Sequence, residues 1–149
     1  MAAGPAGVIV GFENQDNDNW LARLSAEEWL AAAANELLHC QRVLERRNYR
    51  AGVTHARRAA GMACNAILRI AFDASWGRSY MDHVIALAED LSVPETAREA
   101  ARLLVETQPA PPELVTLGKP NLSALNAAQD ILNWARLRVA EIKRHGVTN

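Results

Sequence analysis

Long apolar runs are missing from this sequence: no stretch approaches the roughly 18 to 20 apolar residues that a membrane-spanning helix needs, so no such helix is expected. The first ten residues, MAAGPAGVIV, lack both the basic start and the apolar run of a secretory signal, so a cytoplasmic location is expected. Cysteine is scarce as well. Cys40 and Cys64 stand in predicted helices at positions that suit a small apolar residue and are expected as reduced core thiols. Ligand spacing is also lacking. The histidines at 39, 55, 83 and 145 form no HxxxH, HExxH or CxxC pattern with another ligand, so neither a metal site nor a cofactor is expected. No glycine-rich loop follows a strand, and no strand is expected with any clarity. Nothing in the spacing selects a Ser-His-Asp or Cys-His arrangement from the residue types present.

What is present is an ordinary globular composition: 149 residues, half of them apolar and 22% charged, long enough for one domain with a substantial core. The net charge of −1 hides an alternation: residues 1–40 carry −5, 41–80 carry +6, 81–113 carry −5 and 114–149 carry +3. Such blocks either neutralise one another when helices pack side by side or leave a basic face for an anionic ligand.

Helical periodicity organises the chain. In YRAGVTHARRAAGMACNAILRIAF, residues 49–72, Val53, Ala56, Ala60, Ala63, Ile67 and Ile70 fall at spacings of three and four and predict a central helix. The stripe is made of small residues, and Gly61 within it points to close approach of a neighbouring helix. Before it, Ser25 and Glu28 form a capping-box pattern that starts a helix with Leu30, Ala33, Leu37, Cys40 and Leu44 on its core face, widened by Trp29 and Ala34. That helix should run to about Arg47, with a break at Asn48 to Gly52 making the pair antiparallel. After the turn DASWGRS, Ser79 and Asp82 start a third helix through Leu91, with Val84, Leu87, Ala88 and Leu91 inward. Pro94 opens a fourth, ending near Thr107 with Ala97, Ala100 and Leu104 on its stripe. QPAPPELVTLGKP is a stiff crossing to the last helix, which starts near Asn121 or Ser123. There Leu125, Ala128, Leu132, Ala135, Val139 and Ile142 are the core stripe and Gly146 the expected C-cap. The predicted fold is thus an all-α, up-and-down bundle of about five helices over residues 25–149. An extended N-terminal arm over residues 1–24 precedes it, with Val8 to Phe12 docked or forming a short strand and Trp20 and Leu24 pinning its end.

Two constellations carry candidate chemistry. On the last helix Arg138 and His145 lie seven residues, about 10.5 Å of rise, apart on one face. A histidine that moves a proton and a guanidinium that holds a phosphodiester would serve metal-independent RNA cleavage. The alternative pairs Arg138 with Glu141 or Trp134 and sets His145 against the helix terminus. The flank Ile131, Trp134 and Arg138 has the composition of an interface. The second constellation is the cluster Arg42, Arg46, Arg50, Arg57 and Arg58, suited to phosphates of nucleotide or RNA or, alternatively, a solvated or partner-facing patch. Tyr49 is its one stacking candidate.

The run WLAAAANELLHCQRVLERRNYRAGVTHARRAAGMACNAILRI, with Tyr49 at the break, then DHVIALAEDL and a long basic final helix, resembles the HEPN family of small helical bundles over roughly residues 25–145. The resemblance implies nucleotide or RNA handling. In the family's ribonucleases an arginine is followed after four to six residues by a histidine on the last helix, a pattern to which Arg138-VAEIKR-His145 is similar with six between. Those members usually carry a polar residue directly after the arginine, where Val139 stands here. Other members are non-catalytic partners of nucleotidyltransferases or binding modules, and most pair as dimers through a helix face. The resemblance therefore implies a homodimeric binding or regulatory module for nucleotide, RNA or a nucleotidyltransferase. Its alternatives are an endoribonuclease using Arg138 and His145, and an interaction bundle without ligand.

Overall fold

A computed structural model of the chain describes residues 20–108 and 120–147. Among these residues every regular element is helical: α1 (Ala26–Glu45), α2 (Tyr49–Ile70), a single 3-10 turn (Ala74–Trp76), α3 (Tyr80–Glu89), α4 (Glu95–Glu106) and α5 (Ser123–Val147). No helix is long and apolar enough to cross a membrane. The expected docking of Val8 to Phe12 and the proline-rich crossing fall outside the described residues, apart from the crossing's ends.

The local signals act where the sequence places them. Ser25 and Glu28 complete a capping box, the Ser25 Oγ accepting from the Glu28 N–H and the Glu28 carboxylate from the Ser25 N–H. Ser79 and Asp82 repeat it at the start of α3. These backbone and hydroxyl donors hold the Asp82 carboxyl below its ordinary range. The α1–α2 connection is shorter than the predicted break. Arg47 adopts a left-handed conformation, φ 66°, while the Asn48 N–H reaches the Val43 carbonyl and the Arg47 N–H the Leu44 carbonyl. This closes a Schellman motif with arginine in the usual glycine place. Asn48 then caps α2, so Gly52 is helical rather than part of a loop.

The helix α2 is the axis of the bundle. It packs against α1, α3, α4 and α5, and from Ala59 to Leu68 every residue except Met62 is buried. A helix buried nearly all round cannot carry bulky side chains on every face. At two positions it carries no Cβ. A methyl on Gly52 would stand 2.2 Å from a Leu44 methyl of α1, and one on Gly61 2.3 Å from the Tyr80 Cβ of α3. Gly61 marks the close helix approach that its place in the stripe predicted.

Trp20 lies in a helical turn, residues 20–22, among the rings of Trp29, Tyr80 and His83, and the Trp29 indole N–H donates to the Leu21 carbonyl. Leu24 is half-buried against the core. At the far end, Lys143 of α5 pairs with Glu27 of α1, consistent with antiparallel packing of these two helices.

Three expectations are corrected. Leu91, predicted on the core face of α3, is 84% exposed. The helix stops at Glu89 because the Asp90 carboxylate accepts from the Ser92 N–H and hydroxyl, and this turn takes Leu91 off the stripe. Gly146 is not a C-cap, since α5 continues through it to Val147. Ile131, predicted on an interface flank, is fully buried. As α5 packs against α1, α2 and α4, its buried face is broader than one stripe and includes Ala124, Ala127 and Ile131.

Candidate functional site

The five arginines at the α1–α2 hairpin divide into two groups. Arg57 is held inside the fold, its Nε donating to the Leu104 carbonyl at 2.9 Å and its Nη2 to the Thr107 carbonyl at 2.7 Å. It thereby satisfies the bare carbonyls at the end of α4. Arg58 donates to the Glu36 carboxylate at 3.4 Å. The side chains of the exposed Arg42, Arg46 and Arg50, and of Arg47 at the bend, make no hydrogen bond or ion pair among the described residues. The nearby acid in sequence, Glu45, accepts instead from Gln41. At the tip the negative C-terminal end of α1, with Arg42 in its last turn and Arg46 as its cap, meets the positive N-terminal end of α2, whose first turn holds no acidic residue. The two helix dipoles therefore oppose one another, and the arginines, against the one acid Glu45, set the sign of the charge. The tip is strongly electropositive.

Along the hairpin edge the two helices bring together groups far apart in sequence. Glu36, 8% exposed on the core side of α1, accepts from the His55 Nδ1–H at 2.5 Å and from Arg58. His39, one turn beyond Glu36, is exposed and its ring stacks on that of His55, centroids 5.9 Å apart and planes 29° from parallel. Tyr80 approaches from α3. Burial pushes its phenol up from the ordinary value, with the Arg58 charge acting in the opposite sense and Glu36 in the same sense. This cluster was not anticipated from spacing, because no pattern links positions 19 residues apart. One signal was available: Glu36 sits beside Ala33, Leu37 and Cys40 on the core stripe, where an acid demands a partner.

The cysteines are not reactive groups. Burial, with the Glu36 charge adding to it, pushes the Cys40 thiol up to about 11, and burial pushes Cys64 up to about 12. Both are free, as expected. His83 is fully buried, donates Nδ1–H to the Trp76 carbonyl at 2.9 Å, and is held below the ordinary histidine value by burial. Among the described residues no group of three or more His, Cys, Asp or Glu side chains is arranged to hold a metal ion.

At the C-terminal end of α2, Arg138 lines a cleft of about 790 Å³ between that helix end, the α3–α4 loop and α5. Its lining includes the apolar Ile67, Trp76, Val93 and Trp134, with Asp73 and Asp90 from the loops and Arg138, Glu141 and Arg144 from α5. The Arg138 guanidinium donates to Glu141 at 2.7 Å, the i,i+3 pairing weighed from the sequence. His145 is exposed further along α5 and is not part of the cleft lining, so the structure brings only Arg138 to this concavity.

No family model, no curated protein and no solved structure matches the chain. Its chemistry has to be read from the two surfaces just described.

Proposed function

We propose that this protein is a HEPN-like helical binding or regulatory module whose α1–α2 hairpin engages the phosphates of a nucleotide or a single-stranded RNA. The observation that carries the reading is that Arg42, Arg46 and Arg50 are exposed and unneutralised, whereas Arg57, Arg58 and Arg138 have partners within the fold. Charged groups left in water cost the fold little, and a cluster of like charges gathers counter-ions of the opposite sign. A solvated patch without a ligand is the competing reading, and it predicts weak binding that substitution hardly changes.

The test is fluorescence anisotropy of a labelled single-stranded RNA as salt is raised. Three phosphate contacts give a slope of about −2 in log K against log salt. Arg42→Gln, Arg46→Gln and Arg50→Gln combined should flatten it and weaken binding at low salt. Affinity indifferent to salt or to the triple substitution would overturn the reading. The same samples, incubated with RNA in EDTA, test the ribonuclease alternative, which requires cleavage abolished by His145→Ala.

The module is further proposed to pair as a homodimer over the cleft beside α5. Leu137, Leu91 and Phe72, at 73%, 84% and 58% exposure, adjoin this cleft in the chain or line it. Exposed apolar groups gathered around a charged rim are typical of interaction surfaces. Asp73 and Asp90 of one copy would meet Arg144 of the other across a two-fold axis. Light scattering should give twice the chain mass, and Leu137→Glu should return it to the monomer value. A nucleotidyltransferase partner rests on the family resemblance alone.

A further inference from the structure

The row of unneutralised arginines does not end at the hairpin tip. On α1, His39, Arg42 and Arg46 follow one another at i, i+3 and i+7, which places them along one exposed helix face. The stacking of His55 against His39 brings α2 to the same edge. Behind the rings stands Glu36, which fixes the orientation of His55 by accepting from Nδ1 and so leaves Nε2 as its remaining polar atom. The Arg58 charge is opposed by the Glu36 charge. With neutral imidazoles the cluster therefore carries no net charge beside a strongly cationic tip.

We propose that His39 and His55, oriented by Glu36 and flanked by Arg58, form a proton-coupled phosphate site that extends the arginine row by one position. It would take a phosphate of a nucleotide or a nucleic-acid strand when the imidazoles are charged. The inference rests on the reading of the hairpin as a phosphate-binding face and adds to it a dependence on pH. Glu36 on α1 pairs with His55 and with Arg58 on α2, its charge acts on Cys40 of α1 and Tyr80 of α3, and Arg42 follows His39 by one turn on α1. The Cys40 thiol and the Tyr80 phenol are both pushed up by burial and stay neutral at pH 5.5 and 7.5, and imidazole is the kind of side chain that gains a proton in that interval. His39 is exposed and the His55 side chain 26% exposed, so a strand laid along Arg46 and Arg42 reaches both. Binding would draw a proton onto the site, because an adjacent phosphate favours the charged ring.

The probe is a fluorescent oligouridylate, whose bases do not titrate in this range, with inorganic polyphosphate of equal phosphate number as competitor. Anisotropy titrations over a series of salt concentrations are run at pH 7.5 and pH 5.5 on the whole protein. Acidification should tighten binding by about tenfold, the effect of one added hydrogen bond to a charged group. It should also steepen the salt slope by about 0.7 for each imidazole recruited. His39→Gln and His55→Gln should remove the gain at pH 5.5. His39 is exposed, so its substitution leaves the fold in place and keeps the test decisive. Polyphosphate should compete with the same pH dependence.

Binding at both pH values without a steeper slope, or a gain that survives both glutamine substitutions, overturns the site and leaves the arginine face standing. A gain seen with oligouridylate but not with polyphosphate shows that the imidazoles meet something other than phosphate and also overturns it. Absence of binding at either pH overturns this site and the hairpin reading together.

Discussion

Replacing Gly61 by alanine sets two effects of opposite sign against each other, and their magnitudes decide the outcome. Alanine in a helix interior is favoured over glycine by about 1 kcal/mol, which on propensity alone would stabilise the protein. The added Cβ, however, stands 2.3 Å from the Tyr80 Cβ and 2.6 Å from two of its ring atoms. The closest of these atoms is bonded directly to the backbone at the first residue of α3, so no rotamer of Tyr80 removes the clash. The two helices must part, and overpacking of this kind costs about 1 to 3 kcal/mol. The inability of Tyr80 to swing away places Gly61 at the upper end. We expect Gly61→Ala to lose about 2 kcal/mol net, or roughly 4 to 8 °C in Tm for a chain of this size. Urea denaturation followed by circular dichroism at 222 nm measures it. In the Gly61→Ala background, Tyr80→Ala should give no relief, because it keeps the Cβ, whereas Tyr80→Gly should recover part of the loss. A Gly61→Ala protein as stable as the parent would refute the close approach of α2 and α3.

The core offers a gain as well. Asn65 is fully buried with neither its amide nitrogen nor its oxygen bonded, so Asn65→Ala should raise stability by about 1 kcal/mol despite a small cavity, measured by the same denaturation. Arg57→Ala frees the carbonyls at the end of α4 and should cost about 2 kcal/mol, with Arg57→Lys recovering less than half because one ammonium cannot reproduce the planar fork. The folded-state value of His83 is depressed by burial, so the unfolded chain binds the proton more readily. Stability is therefore full above the ordinary histidine value of about 6.5 and falls as pH drops below it, by at most about 1.4 kcal/mol per pH unit. His83→Gln, which keeps a donor for the Trp76 carbonyl, should flatten that part of the pH profile relative to the parent, and an unchanged slope would count against the burial argument.

The helices and their faces were legible because burial against a single neighbour leaves a stripe of period 3.6, and Ser25 and Ser79 announce their helices through local hydrogen bonds. Legibility stopped where more than one neighbour decides the outcome. Ile131 looks like a flank residue from its own helix, and it becomes core because α5 packs against three helices rather than one. Leu91 obeys its stripe until the Asp90 turn, which competes locally with one more helical step. The hairpin arginines could be named from the sequence, but not divided. Whether Arg57 faces solvent or the end of α4 depends on a contact 47 to 50 residues away. Glu36, His39 and His55 were dispersed letters until antiparallel packing of α1 and α2 set them side by side.

The bend between α1 and α2 bears on how the chain reaches this structure. With only Arg46, Arg47 and Asn48 between two helices of 20 and 22 residues, α1 and α2 meet at almost no loop-closure entropy. Every contact of α5 with them must instead wait for the closure of a segment of more than 50 residues. The α1–α2 hairpin is thus the part of the fold that can form first, with Leu44 against Gly52 and Val53 as its early interior. Substitutions there should slow folding, whereas those on α5 should chiefly hasten unfolding. On this ordering the electropositive edge already exists, with its arginines and histidines aligned, before the rest of the bundle closes around α2.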